Sequence, residues 1–147
     1  MLGGIMKIIR TGLVAVAIAA GLTGSALAYV EGDDYTAVSS TAESVTGDIQ
    51  FDDFSITFAN GRTLEFAELV ADHFIVGGNT VPASVYSVRK PADPVLNNGN
   101  RLCGSGNVSY IAAWSTGDDL TALAVFTGDE APASDEEMCA SYTYENQ

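Results

Sequence analysis

The stretch FSITFANGRTLEF, residues 54–66, decides the fold class of this chain. Apolar residues alternate with polar residues on both sides of Asn60-Gly61, and this alternation has the two-residue period of a β-strand. Asn-Gly tolerates the positive φ angles of a type I′ turn, which joins antiparallel strands. The stretch therefore predicts a β-hairpin with one buried face.

More strands are predicted on both sides of a second turn. Residues 108–114 alternate, 115–119 form a polar bend, and 120–126 are apolar on both faces, as in an interior strand. A short strand at 85–88 and a closing strand at 140–144 bring the total to about six. No long amphipathic helix is indicated after the N-terminal segment. The fold class is mostly β, a small antiparallel sheet curled into a barrel or a sandwich.

The regions between these strands have the composition of loops. Residues 29–47 are mostly small, polar or acidic, and we expect a weakly ordered lead-in. Residues 67–74 fit either an extension of the first hairpin or one helical turn. Proline, glycine and asparagine predict a loop over 91–106, and 128–137 reads as an acidic loop. Residues 48–147 then form a single β-rich domain.

The N-terminus has the order of a secretory signal peptide. Lys7 and Arg10 form a basic segment, and residues 11–22 are apolar or small. Ala26 and Ala28 supply the small residues that signal peptidase recognises, so cleavage is predicted after Ala28. A membrane anchor needs about 20 predominantly apolar residues, and this stretch is shorter and interrupted. The first 28 residues are therefore a predicted signal helix, and the mature protein is expected to be periplasmic or secreted, with no membrane association.

The charge narrows the range of partners. After Ala28 the chain has four basic residues against nineteen acids, a formal charge of −15. Nucleic acids and anionic membranes are bound by clustered Lys and Arg, so neither is expected as a partner. An acidic surface steers toward a basic protein or a cation. It also keeps a protein dispersed without any partner, and the sequence leaves both explanations open.

Cys103 and Cys139 are the two cysteines, and an exported protein meets oxidising conditions. A disulfide between them is predicted. It closes a loop of roughly 37 residues, for which the chain-entropy model gives about 4 kcal/mol of stabilisation.

Catalytic and metal signatures are weak. His73 is the only histidine, and a zinc site needs three or four His, Cys or carboxylate ligands. Asp33, Asp34 and the loop 129–137 are candidates for calcium, although none has the order of an EF-hand. Gly104-Ser105-Gly106 approaches a nucleophile elbow, but no strand-to-helix turn is predicted there. The sequence predicts no catalytic residue, no metal ligand and no cofactor.

The second half of the chain has a recognisable pattern of cysteine, glycine and aromatic positions. Its members are Arg101-Leu102-Cys103-Gly104, Tyr110-Ile111, Trp114, 123–126, Pro132 and 139–144. This pattern resembles small secreted bacterial proteins of uncharacterised function. Ser105-Gly106 with Tyr110, and Trp114-Ser115-Thr116-Gly117-Asp118, are also similar to stretches in periplasmic inhibitors of c-type lysozyme, small β-barrel proteins. Thr116 stands where that family has a lysine.

Together these features predict an exported, acidic binding or envelope-associated protein without catalytic activity. The resemblance to lysozyme inhibitors implies a sharper alternative, a binder of a basic protein. A second alternative is a cation-binding protein or a small hydrolase that uses the acidic loops.

Overall fold

Eight antiparallel strands close into a barrel in chain order, and the first strand pairs with the last. The structure, a computed structural model, describes residues 33–147, so the predicted signal segment and its cleavage positions Ala26 and Ala28 lie outside the described residues. The strands are β1 Asp33–Ala37, β2 Ile49–Phe51, β3 Ser55–Thr57, β4 Thr63–Val76, β5 Asn79–Ala92, β6 Val108–Gly117, β7 Leu120–Phe126 and β8 Ala140–Asn146.

The mostly β class is confirmed, whereas the expected number of strands is wrong. The two strands that the sequence did not indicate are β1 and β2, with five and three residues. Such short segments show too little alternation to reveal a strand. They become strands because the barrel supplies a hydrogen-bonded neighbour on each side.

The expectation of a weakly ordered lead-in is corrected for residues 33–47. β1 pairs with both β2 and β8, and a short π-helix, Ala42–Thr46, packs against the barrel. Ala42 is fully buried, and Thr46 is 1% exposed. The Thr46 hydroxyl is hydrogen-bonded to the Tyr144 hydroxyl at 2.8 Å, from 98 positions away in the chain. Long-range partners therefore order a segment whose local composition predicts a loop.

The first predicted hairpin is confirmed, but its turn differs. Ile56 pairs with Leu64 across β3 and β4, and both side chains are buried. Of the turn residues, Gly61 alone has a positive φ, +92°, and its N–H donates to the Phe58 carbonyl. A type I′ turn needs two residues with positive φ. The loop is instead a three-residue connection that ends on a left-handed glycine.

The open question at residues 67–74 is answered by a long strand. β4 and β5 have 14 residues each and meet at Gly77-Gly78, both with positive φ. β4 leaves β3 after Phe66, and β5 has no partner in β6 before Ser84. We call residues 67–83 the arm. The pairing of β4 with β5 has three register shifts, each a β-bulge or a similar irregularity, and bulges bend a hairpin.

Two groups of buried side chains lie on opposite faces of the sheet. All eight strands contribute to the group inside the barrel, where Leu123 and Val125 are fully buried. The outer group lies under the arm, and Phe74 of the arm packs there against Trp114 and Phe126, with ring centroids 5.5 and 5.7 Å apart. β7 is therefore buried on both faces, as its composition predicts.

Within residues 33–147 the remaining helical segments are two 3-10 turns, Asn97–Gly99 and Asp135–Glu137. Between residues 33 and 147 no helix has the length and apolar character needed to cross a bilayer.

Candidate functional site

Side chains fill the inside of the barrel. Phe66 and Tyr86 stack with ring centroids 4.5 Å apart, and Phe51 meets both rings edge-on at 5.8 and 6.0 Å. An eight-stranded barrel is just wide enough for its own side chains to fill the interior. The features able to contact a partner are therefore on the ends and the outside of the barrel.

One barrel end presents a tyrosine bonded to a carboxylate. The Tyr86 hydroxyl donates to Asp53 Oδ1 at 2.5 Å, and Asp52 Oδ1 accepts the N–H groups of Phe54 and Ser55. Burial, together with the bond to Asp53, raises the pKa of Tyr86 well above its usual value. Tyr86 thus remains a hydrogen-bond donor and holds Asp53 at the barrel end.

A groove with two carboxylates crosses the outside of the first strands. It has a volume of about 460 Å³ and lies between β1, β2, β3 and the C-terminus. We call it the acidic groove, and its carboxylate and amide side chains are those of Asp34, Asp48, Gln50 and Gln147. Gln50 Nε2 donates to Asp34 Oδ1 at 3.2 Å, and Asp48 Oδ1 accepts the N–H of Ala37 at 2.9 Å. Each carboxylate keeps a free oxygen by this bonding pattern, and the groove suits a cationic group.

The predicted disulfide is present. Cys103 and Cys139 are bonded, with Cα atoms 5.7 Å apart, and the bond ties the loop after β5 to the residue before β8. Asp93 organises the same loop, because its carboxylate accepts the N–H of Cys103 at 2.8 Å and of Gly104 at 2.7 Å. Tyr142 adds a third connection, donating to the Leu102 carbonyl at 2.5 Å. This end of the barrel is a rigid structural element.

His73 lies on the arm, far out on the surface. Its Nδ1 is 3.0 Å from Asp72 Oδ1, and the two side chains are 68% and 88% exposed. The hydrogen bond to His73 lowers the pKa of Asp72. A catalytic histidine needs a nucleophile in reach, and among the described contacts of His73 there is only this neighbouring acid.

The calcium candidates are not brought together. Asp33 lies in β1, whereas the acids of 129–137 lie in the loop and 3-10 turn before β8. Within the part of the chain that the structure describes, no three His, Cys, Asp or Glu side chains are placed to hold a metal ion.

The residues of the resemblance to lysozyme inhibitors have different environments in the structure. Trp114 is 9% exposed and belongs to the outer apolar group under the arm. Asp118, with φ of 47°, lies in the exposed turn between β6 and β7. Ser105 lies in the disulfide loop, where its hydroxyl is 3.2 Å from Cys103 Sγ.

No family model, curated protein or solved structure matches this chain. The geometry of its own residues is therefore the basis for assigning a function.

Sequence reasoning missed three carboxylates with defined partners: Asp48, Asp53 and Asp93. Aspartate is common in turns, so its presence beside a predicted strand gave no signal of these contacts. The partner of Asp53 is 33 positions away, and that of Asp48 is 11 positions away. Only the folded sheet brings these partners into reach.

Proposed function

We propose that this chain is an exported, non-catalytic binding protein that recognises a basic protein through its acidic surface. The observation that carries the proposal is the amount of negative charge left without a basic neighbour. Across residues 33–147 the ion pairs are His73 with Asp72, and Arg89 with Glu65 at 3.8 Å. In the described region Thr46 is the single buried polar residue, so every carboxylate there is at least partly exposed to solvent.

Part of this negative charge lies in a concave site, the acidic groove. Asp34 and Asp48 line a groove of about 460 Å³, and the Gln50 and Gln147 amides also line it. A Lys or Arg side chain of a partner fits such a groove, since its stem packs on the apolar lining and its head meets carboxylates. Charge complementarity mainly accelerates encounter and suppresses wrong partners.

Export is part of the proposal. The disulfide and the basic, then apolar, N-terminal sequence support it. N-terminal sequencing of the protein recovered from the cell envelope should begin at Tyr29, one residue after Ala28. Recovery of the intact chain from cytosol, with free thiols, would contradict this part.

A c-type lysozyme is the probe for the binding function, because these enzymes are basic and the resemblance points to their inhibitors. At low ionic strength we expect a complex, measured by calorimetry, and reduced lysozyme activity. The affinity should fall as salt is added, since exposed charges are screened over about 10 Å at 0.1 M. The proposal is refuted if neither lysozyme nor any member of a panel of other basic proteins forms a complex.

Paired variants test whether the acidic groove is the contact surface. Asp34→Asn with Asp48→Asn removes two charges and keeps the acceptor oxygen for Ala37. Glu136→Gln with Glu137→Gln removes two exposed charges elsewhere and serves as the matched control. The groove pair should weaken binding by about tenfold, the control by less than threefold, as expected for charge contacts in and away from an interface.

A further inference from the structure

An open backbone edge runs along the arm. β4 pairs with β3 only over Thr63–Glu65, and the last bond to that side is from the Phe66 N–H to the Phe54 carbonyl at 2.8 Å. The next backbone bond on that side is from the Ile75 N–H to the Ala133 carbonyl at 3.0 Å. Between them, residues 67–74 have β5 on one side and, among the described residues, no strand on the other.

We propose that residues 67–74 form a docking edge at which an extended cationic segment of a partner adds as a further β-strand. This inference rests on the proposed function, since it specifies how the basic partner is held. In strand addition, main-chain hydrogen bonds supply affinity and the alternate side chains supply specificity.

The length of the edge suits this mode. Eight residues at about 3.3 Å per residue give an edge of at most roughly 26 Å, and the three register shifts against β5 shorten it. Strands in proteins usually have five or six residues, so the edge is long enough for a full strand of the partner. Its backbone is held by β5, which pairs along it with three register shifts, and by Phe74, which packs in the outer apolar group.

Charge selects the occupant. Glu68 and Asp72 are exposed on this edge, and the only basic group in the arm is the weakly basic His73, which already contacts Asp72. An unpaired edge is a template for pairing with any other chain, including a copy of itself. A second acidic arm would place like charges side by side, which is destabilising in a cross-strand pair. A partner strand with Lys or Arg at alternate positions instead places opposite charges side by side, which stabilises the pair.

Two exposed apolar side chains flank the edge. Leu69 lies within it and is 53% exposed, and Phe54, whose carbonyl bonds to Phe66 where the edge begins, is 67% exposed. Apolar side chains at the remaining alternate positions of the partner strand have these surfaces to pack on. The fitting segment is therefore extended, with basic and apolar residues in alternation.

The test uses a synthetic eight-residue peptide of alternating lysine and valine, capped at both ends. Its control is the same sequence with every backbone nitrogen methylated, which keeps charge and side chains but removes all main-chain donors. We expect the first peptide to bind and to slow the amide hydrogen exchange of residues 67–74 by about tenfold or more, as new ladder bonds protect the edge. The methylated peptide should leave exchange unchanged.

Two charge-reversal variants complete the test. Glu68→Lys with Asp72→Lys reverses the charge of the edge, whereas Glu43→Lys with Glu145→Lys makes the same change in net charge on other exposed positions. We expect about a tenfold loss of peptide affinity for the first pair and less than a threefold loss for the second.

The outcomes separate this inference from the proposed function. Lysozyme binding combined with equal binding of both peptides, or with equal effects of both variant pairs, overturns the docking edge and leaves the binding function standing. Failure of the peptide to bind also overturns the docking edge, whatever lysozyme does. Failure of lysozyme and all basic proteins to bind removes the function on which the inference rests.

Discussion

Replacing Thr46 by valine tests the contact that orders the segment before the barrel. Thr46 Oγ1 lies 2.8 Å from the Tyr144 hydroxyl and 2.9 Å from the Gly47 carbonyl. The threonine has one proton for its carbonyl acceptors, so the tyrosine is the donor in this pair. Valine has nearly the same shape but no hydroxyl. It leaves the Tyr144 hydroxyl, which is fully buried, without its partner.

The magnitudes follow from this geometry. An unsatisfied buried donor costs about 1–3 kcal/mol, so Thr46→Val should lower the free energy of unfolding by about 2 kcal/mol. Tyr144→Phe removes the donor but leaves Thr46 bonded to Gly47, and about 1 kcal/mol is expected. The double variant leaves no tyrosine hydroxyl without a partner, and the Gly47 carbonyl loses its donor just as it does in Thr46→Val. Its cost should be smaller than the sum of the single costs by about 1 kcal/mol, the coupling of the pair.

Urea unfolding of the four proteins measures the cycle. The midpoint should shift at constant m, because the change in exposed surface is the same for all four. A result in which Thr46→Val and the double variant both cost less than about 0.5 kcal/mol would refute the reasoning, since such costs are typical of surface positions. Residues 33–47 would then be a weakly ordered lead-in after all.

Three further predictions follow from the fold. Cys103→Ser with Cys139→Ser should lower the free energy of unfolding by about 4 kcal/mol, because the bond links positions 36 apart. Urea unfolding measures this change. A decrease below about 1 kcal/mol would contradict the prediction and indicate that the unfolded chain is compact without the bond. Phe74→Ala should lower the free energy of unfolding by about 3–5 kcal/mol, because the arm loses its buried anchor. The fluorescence of Trp114 should shift to the red, since Phe74 packs against its ring. An unchanged emission spectrum would contradict the contact between the two rings. Burial, with the Asp93 charge, raises the pKa of Tyr142 to about 12. The stabilisation from its neutral form is therefore complete below pH 10 and falls by up to about 1.4 kcal/mol per pH unit up to pH 12. Tyr142→Phe should remove this share of the alkaline loss of stability, and an identical loss in both proteins would contradict the prediction.

The local patterns were enough for the strands that alternate over many residues. The hairpin of β3 and β4 and the hairpin of β6 and β7 both lie where the sequence predicts them. The disulfide was also predictable, since the N-terminal pattern predicts an oxidising compartment and two cysteines allow one pairing.

The arm shows a limit of predicting secondary structure from the local sequence pattern. Phe66, Leu69 and Phe74 approximate helical spacing, which left residues 67–74 open between strand and helix. The irregular spacing has a physical cause in the register shifts of β4 against β5, because an extra residue in one strand moves the side chains that follow it to the other face. A bulge is a property of two strands, and one strand's sequence does not reveal it.

The candidate sites depend on the tertiary structure even more. Negative charge was evident from composition, but composition does not say which carboxylates meet. Asp34 and Asp48 share a groove because β1 and β2 are neighbours in the barrel, and Asp53 is held by Tyr86 from another strand. The edge of β4 is open because β3 is only three residues long.

By itself, the sequence determined that this protein is a β-rich, acidic, disulfide-bonded chain with an export-type N-terminus, because alternation, charge and cysteine content are properties of neighbouring residues and totals. The tertiary structure alone decided that the sheet closes with eight strands, that residues 33–47 belong to it, and that one edge stays open. Those features depend on hydrogen bonds and packing between positions as far apart as Thr46 and Tyr144, which no local pattern encodes.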